Sequence, residues 1–274
     1  MTIELFDTGH CVVSERQVLR GGAARPMACH ALVALLHHPR QGLTLFDTGY
    51  AMRMLDATRA WPYRLYRALT PLRLSPELEL VRQLAARGIA PNDIGRVIVS
   101  HFHADHVAGL RDFPATTIVA TQAALESVRG RRGLAALRRG YLPALQPPDL
   151  EARACPLPPF TGAPLPHLGP THDLFGDGSI LLIALPGHAC GQIGALVATT
   201  GGPVLLAADG AWTSRTIRER RPPSRMASLI VDDARAMRAT IDALHAFSLA
   251  HPEVRILPTH CPEVYAALAR PGGA

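Results

Sequence analysis

The chain has 274 residues, 48% hydrophobic and 18% charged, with a formal net charge of +6. That mixture is too apolar for intrinsic disorder, and the length suffices for one large core or two small ones. All 28 basic residues are arginine, so no chemistry here rests on a catalytic lysine, a Schiff base or a phosphate-loop lysine.

In chain order, the first seven residues carry Glu4 and Asp7 and lack a basic head followed by an apolar stretch, so no secretory signal is expected. Residues 32–36 and 43–46 read as short strands joined by a polar turn and ending at Asp47-Thr48-Gly49. Residues 76–87 read as one amphipathic helix, opened by Ser75-Pro76 and stopped by Gly88. The run Val97-Ile98-Val99 is typical of a buried strand. A strand over 117–120 and a helix over 122–129 follow. Residues 140–170 hold nine prolines and read as an irregular insertion over the surface of a single domain, 1–274. Strands are then expected over 179–185, 195–199, 204–207 and 254–257, with helices over 233–247 and 262–269.

Nothing in the chain approaches the roughly 20 apolar residues of a membrane helix. Arginines cluster at 129–139 and 215–225, without interleaved aromatics. That pattern reads as a solvated face or an attraction for small anionic substrates rather than nucleic acid, and both the second cluster and the proline-rich stretch are expected to shape a pocket. Five cysteines, an odd number with no C-x-x-C, indicate no disulfide framework and a cytoplasmic setting.

The chemistry concentrates in His101-x-His103-x-Asp105-His106, directly after an apolar strand. In extended chain, positions 101 and 103 project the same way, so two imidazoles can reach one ion. Asp105 and His106 follow in the turn and can face a second. Burying four such groups without a cation would leave polar atoms and a carboxylate unpaired. His188, Asp209 and His260 each stand where a later apolar strand stops, which is where sites collect on layered α/β scaffolds. Imidazole and carboxylate suit zinc, with manganese and iron as alternatives.

This succession, with His37 to Tyr50, Ile94 to Ala108 and Asp173 to Ser179, resembles the metallo-β-lactamase-fold hydrolases, most of all their N-acyl-homoserine lactonase branch. The resemblance implies a four-layer αββα sandwich of two mixed sheets with the site at one edge. It implies that His101, His103 and His188 hold one divalent ion, that Asp105, His106 and His260 hold a second, and that Asp209 bridges them. It also implies opening of a lactone or ester by a hydroxide shared between ions roughly 3.5–4 Å apart, with Asp105 taking the proton. Dimers are common in the branch, so a homodimer is compatible with it. Asp47 is expected either to hold a ligand imidazole or to cap its turn. A glyoxalase II-like thioesterase and a non-catalytic metal- or signal-binding protein are the alternative readings.

The match departs from the branch at Trp212, where lactonases place a tyrosine that bonds the substrate carbonyl. An indole offers one donor and no acceptor, so Trp212 is read as a weaker donor or a pocket wall. Cys190 and Cys261, beside proposed ligands, are read as packing residues, and the other eight histidines as unconnected with the site, His172 least firmly.

Overall fold

The computed structural model describes residues 1–227 and 230–269, so the expected domain limit at 274 lies outside the described residues. Seven strands form the first sheet: β1 (Thr2–Ser14), β2 (Pro26–His38), β3 (Gly42–Phe46), β4 (Leu72–Arg73), β5 (Ile94–Ile98), β6 (Thr117–Thr121) and β7 (Ala154–Leu157), in spatial order β4-β1-β2-β3-β5-β6-β7. Six form the second: β8 (Gly162–Leu165), β9 (Gly169–Asp173), β10 (Ile180–Ala184), β11 (Ile193–Thr199), β12 (Gly202–Ala208) and β13 (Arg255–Pro258), in order β13-β12-β11-β10-β9-β8. Both sheets are mixed. β1, β2 and β3 pair antiparallel, and β3, β5, β6 and β7 run parallel. In the second sheet β8 to β12 form an antiparallel meander, and β13 joins β12 in parallel.

Side-chain alternation builds four layers. On β2, Ala34 and Leu36 face inward and pack with Leu182, Ala195, Val204 and Leu206 of the second sheet. Their neighbours Val33 and Leu35 point outward, against Leu80, Leu84, Leu125 and Val128 on helices. The outer face of the second sheet is covered by the helix Ala234–Ala250, whose Met237, Ile241, Leu244 and Phe247 recur at helical spacing and bury against Ile183, Leu205 and Ala207. That helix starts cleanly because the Asp233 carboxylate accepts from the Arg235 and Ala236 N–H groups. The αββα architecture expected from the sequence is the one found.

Two expectations need correction. Residues 76–87 are not one helix: a 3-10 turn at Pro76–Leu78 is separated from the helix Leu80–Ala85 by Glu79, which is extended. The Glu79 carboxylate accepts the Met52 N–H at 3.0 Å, so a tertiary hydrogen bond takes the place of a helical turn. The proline-rich stretch 140–170 is not irregular throughout. It contains β7 and β8, and the chain crosses from the first sheet to the second within it. Pro156 and Pro164 are tolerated because both strands lie at sheet edges, where a missing N–H breaks no internal ladder.

Candidate metal centre

Five strand ends deliver the site. Beyond β5 the chain stays extended through His103 (ψ 151°), and the helix Ala104–Val107 then carries Asp105 and His106. Leu185, Pro186 and Gly187 lead from β10 to His188. Gly187 is required there, because its φ is +121° and a Cβ would lie 2.0 Å from the Met237 nitrogen. β12 ends at Ala208, whose φ is +45°, immediately before Asp209. β13 leads to His260 through Thr259, and β3 leads to Asp47, which has a φ of +62°. Two non-glycine residues in the left-handed region, both at strand ends entering the site, mark local strain that the surrounding packing holds in place.

All seven predicted ligands converge. Within each of three sets, one ligand atom per residue lies within 4.8 Å of the others: His101, His103 and His188; His101, His106 and Asp209; and Asp105, His106 and His260. Asp209 is central. Its Oδ2 lies 3.0 Å from His188 Nε2 and 3.1 Å from His260 Nε2, and its Oδ1 lies 3.5 Å from His106 Nε2. Asp105 Oδ2 is 3.3 Å from His260 Nε2, and His103 Nδ1 is 2.8 Å from His188 Nε2. His103 and Asp105 are half-buried, and the other five are buried.

The far side of three imidazoles is fixed by hydrogen bonds. His106 Nδ1 donates to Asp47 Oδ2 at 2.8 Å, and His260 Nδ1 donates to the His30 carbonyl at 2.6 Å. Ser100 Oγ donates to Asp47 Oδ2 at 2.7 Å, which leaves its lone pairs for His101 Nδ1 at 3.0 Å. These partners assign the tautomers and turn each Nε2 toward the centre. His101 Nε2, His106 Nε2 and Asp209 Oδ1 are buried with no hydrogen-bond partner among the described residues. Three orphaned Lewis bases aimed at one volume are the arrangement a cation satisfies.

The electrostatics divide the cluster. Burial, reinforced by the charges of His106, His103 and His188, pushes His101 well below the ordinary histidine value. His103 is pushed down by burial and by His188. Burial also opposes charge on His106, but Asp47, Asp209 and Asp105 prevail and raise it well above that value. Against the same burial, Asp209 and Asp105 raise His260 to about 9. Burial alone would raise the Asp209 carboxyl, yet His260, His188 and His106 hold it well below the carboxylate range.

Other expectations sort as follows. Asp47 takes the supporting role rather than that of a turn cap alone. The Trp212 ring meets His188 edge-on with centroids 5.6 Å apart, and its buried Nε1–H has no partner among the described residues. Cys190 is exposed, with Sγ 3.7 Å from the Ala123 carbonyl, and Cys261 is buried and contacts Ser214 Oγ at 3.2 Å. Neither belongs to a ligand set among the described residues. The arginines at 215, 218, 220 and 221 form ion pairs with acids. Three contributors were missed: Ser100, the His30 carbonyl, and Tyr66, whose hydroxyl lies 3.5 Å from Asp105 Oδ1. Ser100 was detectable, because it precedes His101 within the motif. The other two are brought in by tertiary contacts, which leave no local trace.

Comparison with known proteins agrees with this geometry. Residues 28–260 match the pattern of the metallo-beta-lactamase superfamily. The N-acyl homoserine lactonase AttM of Agrobacterium fabrum is 27% identical over 233 residues, covering 85% of this chain and 82% of that protein. A probable metallo-hydrolase of Mycobacterium tuberculosis is 28% identical over 258 residues, covering 87% and 76%. Among solved structures, an N-acyl homoserine lactone hydrolase with N-hexanoyl-L-homoserine at its catalytic metal centre superposes with a TM-score of 0.76 at 18% identity, covering 97% of this chain and 95% of that one. A dizinc quorum-quenching lactonase superposes with a TM-score of 0.63 at 14% identity, covering 95% and 88%. Strand-end ligands, the two-sheet sandwich and the family match lead to one conclusion: the chain is a metallo-hydrolase and belongs to the metallo-beta-lactamase superfamily.

Proposed function

We propose that this protein, as a single domain, opens the ring of a lactone, with N-acyl-homoserine lactones as the leading substrate class. In this reading His101, His103 and His188 hold one divalent cation, Asp105, His106 and His260 hold another, and Asp209 is shared. The observation that carries the reading is Asp209, whose two oxygens approach imidazoles of both groups while buried beside orphaned nitrogens. The imidazole-rich donor set favours zinc, with manganese and iron able to use the same ligands. When bound, such a pair supplies Lewis acidity and water acidified towards a pKa of about 7.

The chain's own residues do the rest. Asp105, half-buried at the rim, is placed to take the proton from the attacking water and return it to the departing alkoxide. Trp212 offers its free Nε1–H to the substrate carbonyl oxygen, a donor whose strength grows as negative charge develops there. Asp47, Ser100 and the His30 carbonyl keep the imidazoles aligned through both steps. The five free cysteines support a cytoplasmic enzyme acting on a small molecule; no helix among the described residues is long and apolar enough to cross a membrane.

The test is a hydrolysis panel of γ-lactones, thioesters, phosphodiesters and β-lactams with zinc-, manganese- and iron-loaded protein. The expected result is ring opening of N-acyl-homoserine lactones, lost on chelation and restored by metal. Faster turnover of thioesters would move the assignment to the glyoxalase II type. Retention of intact lactone without an open-ring product would make the protein a binder.

A further inference from the structure

A cavity of about 400 Å³ lies beside the metal centre, lined by Arg131, Arg138, Arg139, Val231 and Asp232. Both of its walls are fastened to proposed ligands. On one wall, Arg139 is followed by Gly140, whose carbonyl accepts the Ala104 N–H at 2.9 Å. A Cβ on Gly140 would lie 2.7 Å from His103 Cδ2, so no side chain intrudes there. On the other wall, the Asp232 N–H donates to the His188 carbonyl at 3.1 Å, and the Asp232 carboxylate accepts the Cys190 N–H at 2.7 Å. The cavity therefore adjoins the His103–His188 end of the site, and its size lies within the usual range for small-molecule pockets.

Its charge is unbalanced. Three guanidinium groups face one carboxylate, and that carboxylate is already engaged by Arg139 and the Cys190 N–H. Arg131 Nε is satisfied by the Ser127 carbonyl. The exposed guanidinium of Arg138 has no hydrogen-bond or ion-pair partner among the described residues. The cluster at 215–221 is the contrast, since four arginines there pair with Glu15, Glu219, Glu263 and Asp242. An unneutralised guanidinium in a concave site is suited to a planar anion.

The geometry points to this cavity as a subsite for a carboxylate carried on the acyl part of the substrate, with Arg138 as its main contact. This rests on the lactonase reading and narrows its substrate class from neutral acyl chains to acidic ones. Hydrolysis of N-succinyl- and N-adipoyl-homoserine lactone is compared with that of their terminal amides, which differ only in charge. Wild type is expected to favour the acids by about tenfold in kcat/KM at low salt, mainly through KM, and high salt is expected to erode the preference. Arg138→Gln is expected to reduce that ratio to about threefold or less, whereas Arg218→Gln, in the neutralised cluster, keeps it. No preference in wild type, or a preference that survives in Arg138→Gln, overturns the subsite; the latter would assign carboxylate recognition to the metals. The same four compounds are titrated calorimetrically into zinc-loaded protein. If no ring opens, the lactonase reading fails, while tighter binding of the acids that depends on Arg138 still supports the subsite, and equal binding overturns it.

Discussion

The two ends of the ligand cluster are built differently. At one, His106 and His260 are tied through Nδ1 to the Asp47 carboxylate and the His30 carbonyl, and Asp105 and Asp209 lie within 4 Å of their free nitrogens. At the other, His103 and His188 face each other at 2.8 Å, and His188 Nδ1 has no partner among the described residues. The protein itself positions the first end. At the second, Ser100 Oγ fixes His101, while His103 and His188 are held by backbone placement beside Gly140 and Gly187 and would be drawn tight by a cation. The less supported end is the one that adjoins the arginine cavity proposed above as a carboxylate subsite.

Asp209 joins the ends, so its removal should have the largest effect. Asp209→Ala is expected to lower lactone kcat/KM on the order of 10³-fold and to reduce bound metal at both ends. Metal analysis that finds one end still fully loaded would break the comparison. Asp47→Asn should act mainly on the supported end, where it bonds His106 directly, weakening that metal by roughly 10–100-fold, and less on the other, which it reaches only through Ser100 and His101. Competitive chelator titration reads the two affinities, and equal weakening would show that the ends are not independently supported. Trp212→Phe keeps the ring packing against His188 and deletes the donor, so kcat is expected to fall about tenfold with metal content unchanged. A fall confined to KM would make the indole a pocket wall.

The smallest effect is the pH dependence of the metal-free protein. His101 and His103 have depressed values in the fold, while the unfolded chain titrates near 6.5. Below that pH the unfolded state binds protons that the folded state refuses, so these two histidines cost stability as pH falls. His106 and His260 act in the opposite sense. Their raised values contribute stability that is complete below about 6.5 and is lost as pH rises, through about 9 for His260. Melting of wild type and His260→Gln between pH 6 and 10 is expected to show the wild-type advantage shrinking upward, and a widening gap contradicts the assignment.

The seven candidate ligands, which the fold brings together, were legible because each is a polar residue at the stop of an apolar strand, and four of them fall within six positions. Of their supports, Asp47 at a strand end and Ser100 inside the motif were legible too, and the others were not. The His30 carbonyl belongs to a β2 residue that looked unremarkable, and Tyr66 reaches Asp105 from a helix far away in sequence. β1 escaped notice because Glu4 and Asp7 interrupt its apolar pattern, although pairing along β2 specifies it. β7 and β8 were hidden by prolines that only an edge position excuses. The arginine cluster expected to shape the pocket, 215–225, spends its named charges on surface ion pairs, whereas 131, 138 and 139 line the cavity. Composition alone treats the two clusters alike, because neutralisation depends on acids supplied by distant elements.

The most direct test is the anomalous scattering of zinc in crystals of the loaded protein. The account predicts two peaks roughly 3.5–4 Å apart, one among His101, His103 and His188 and one among Asp105, His106 and His260, with a carboxylate oxygen of Asp209 on each. A single peak, or a pair that Asp209 does not touch, would contradict it.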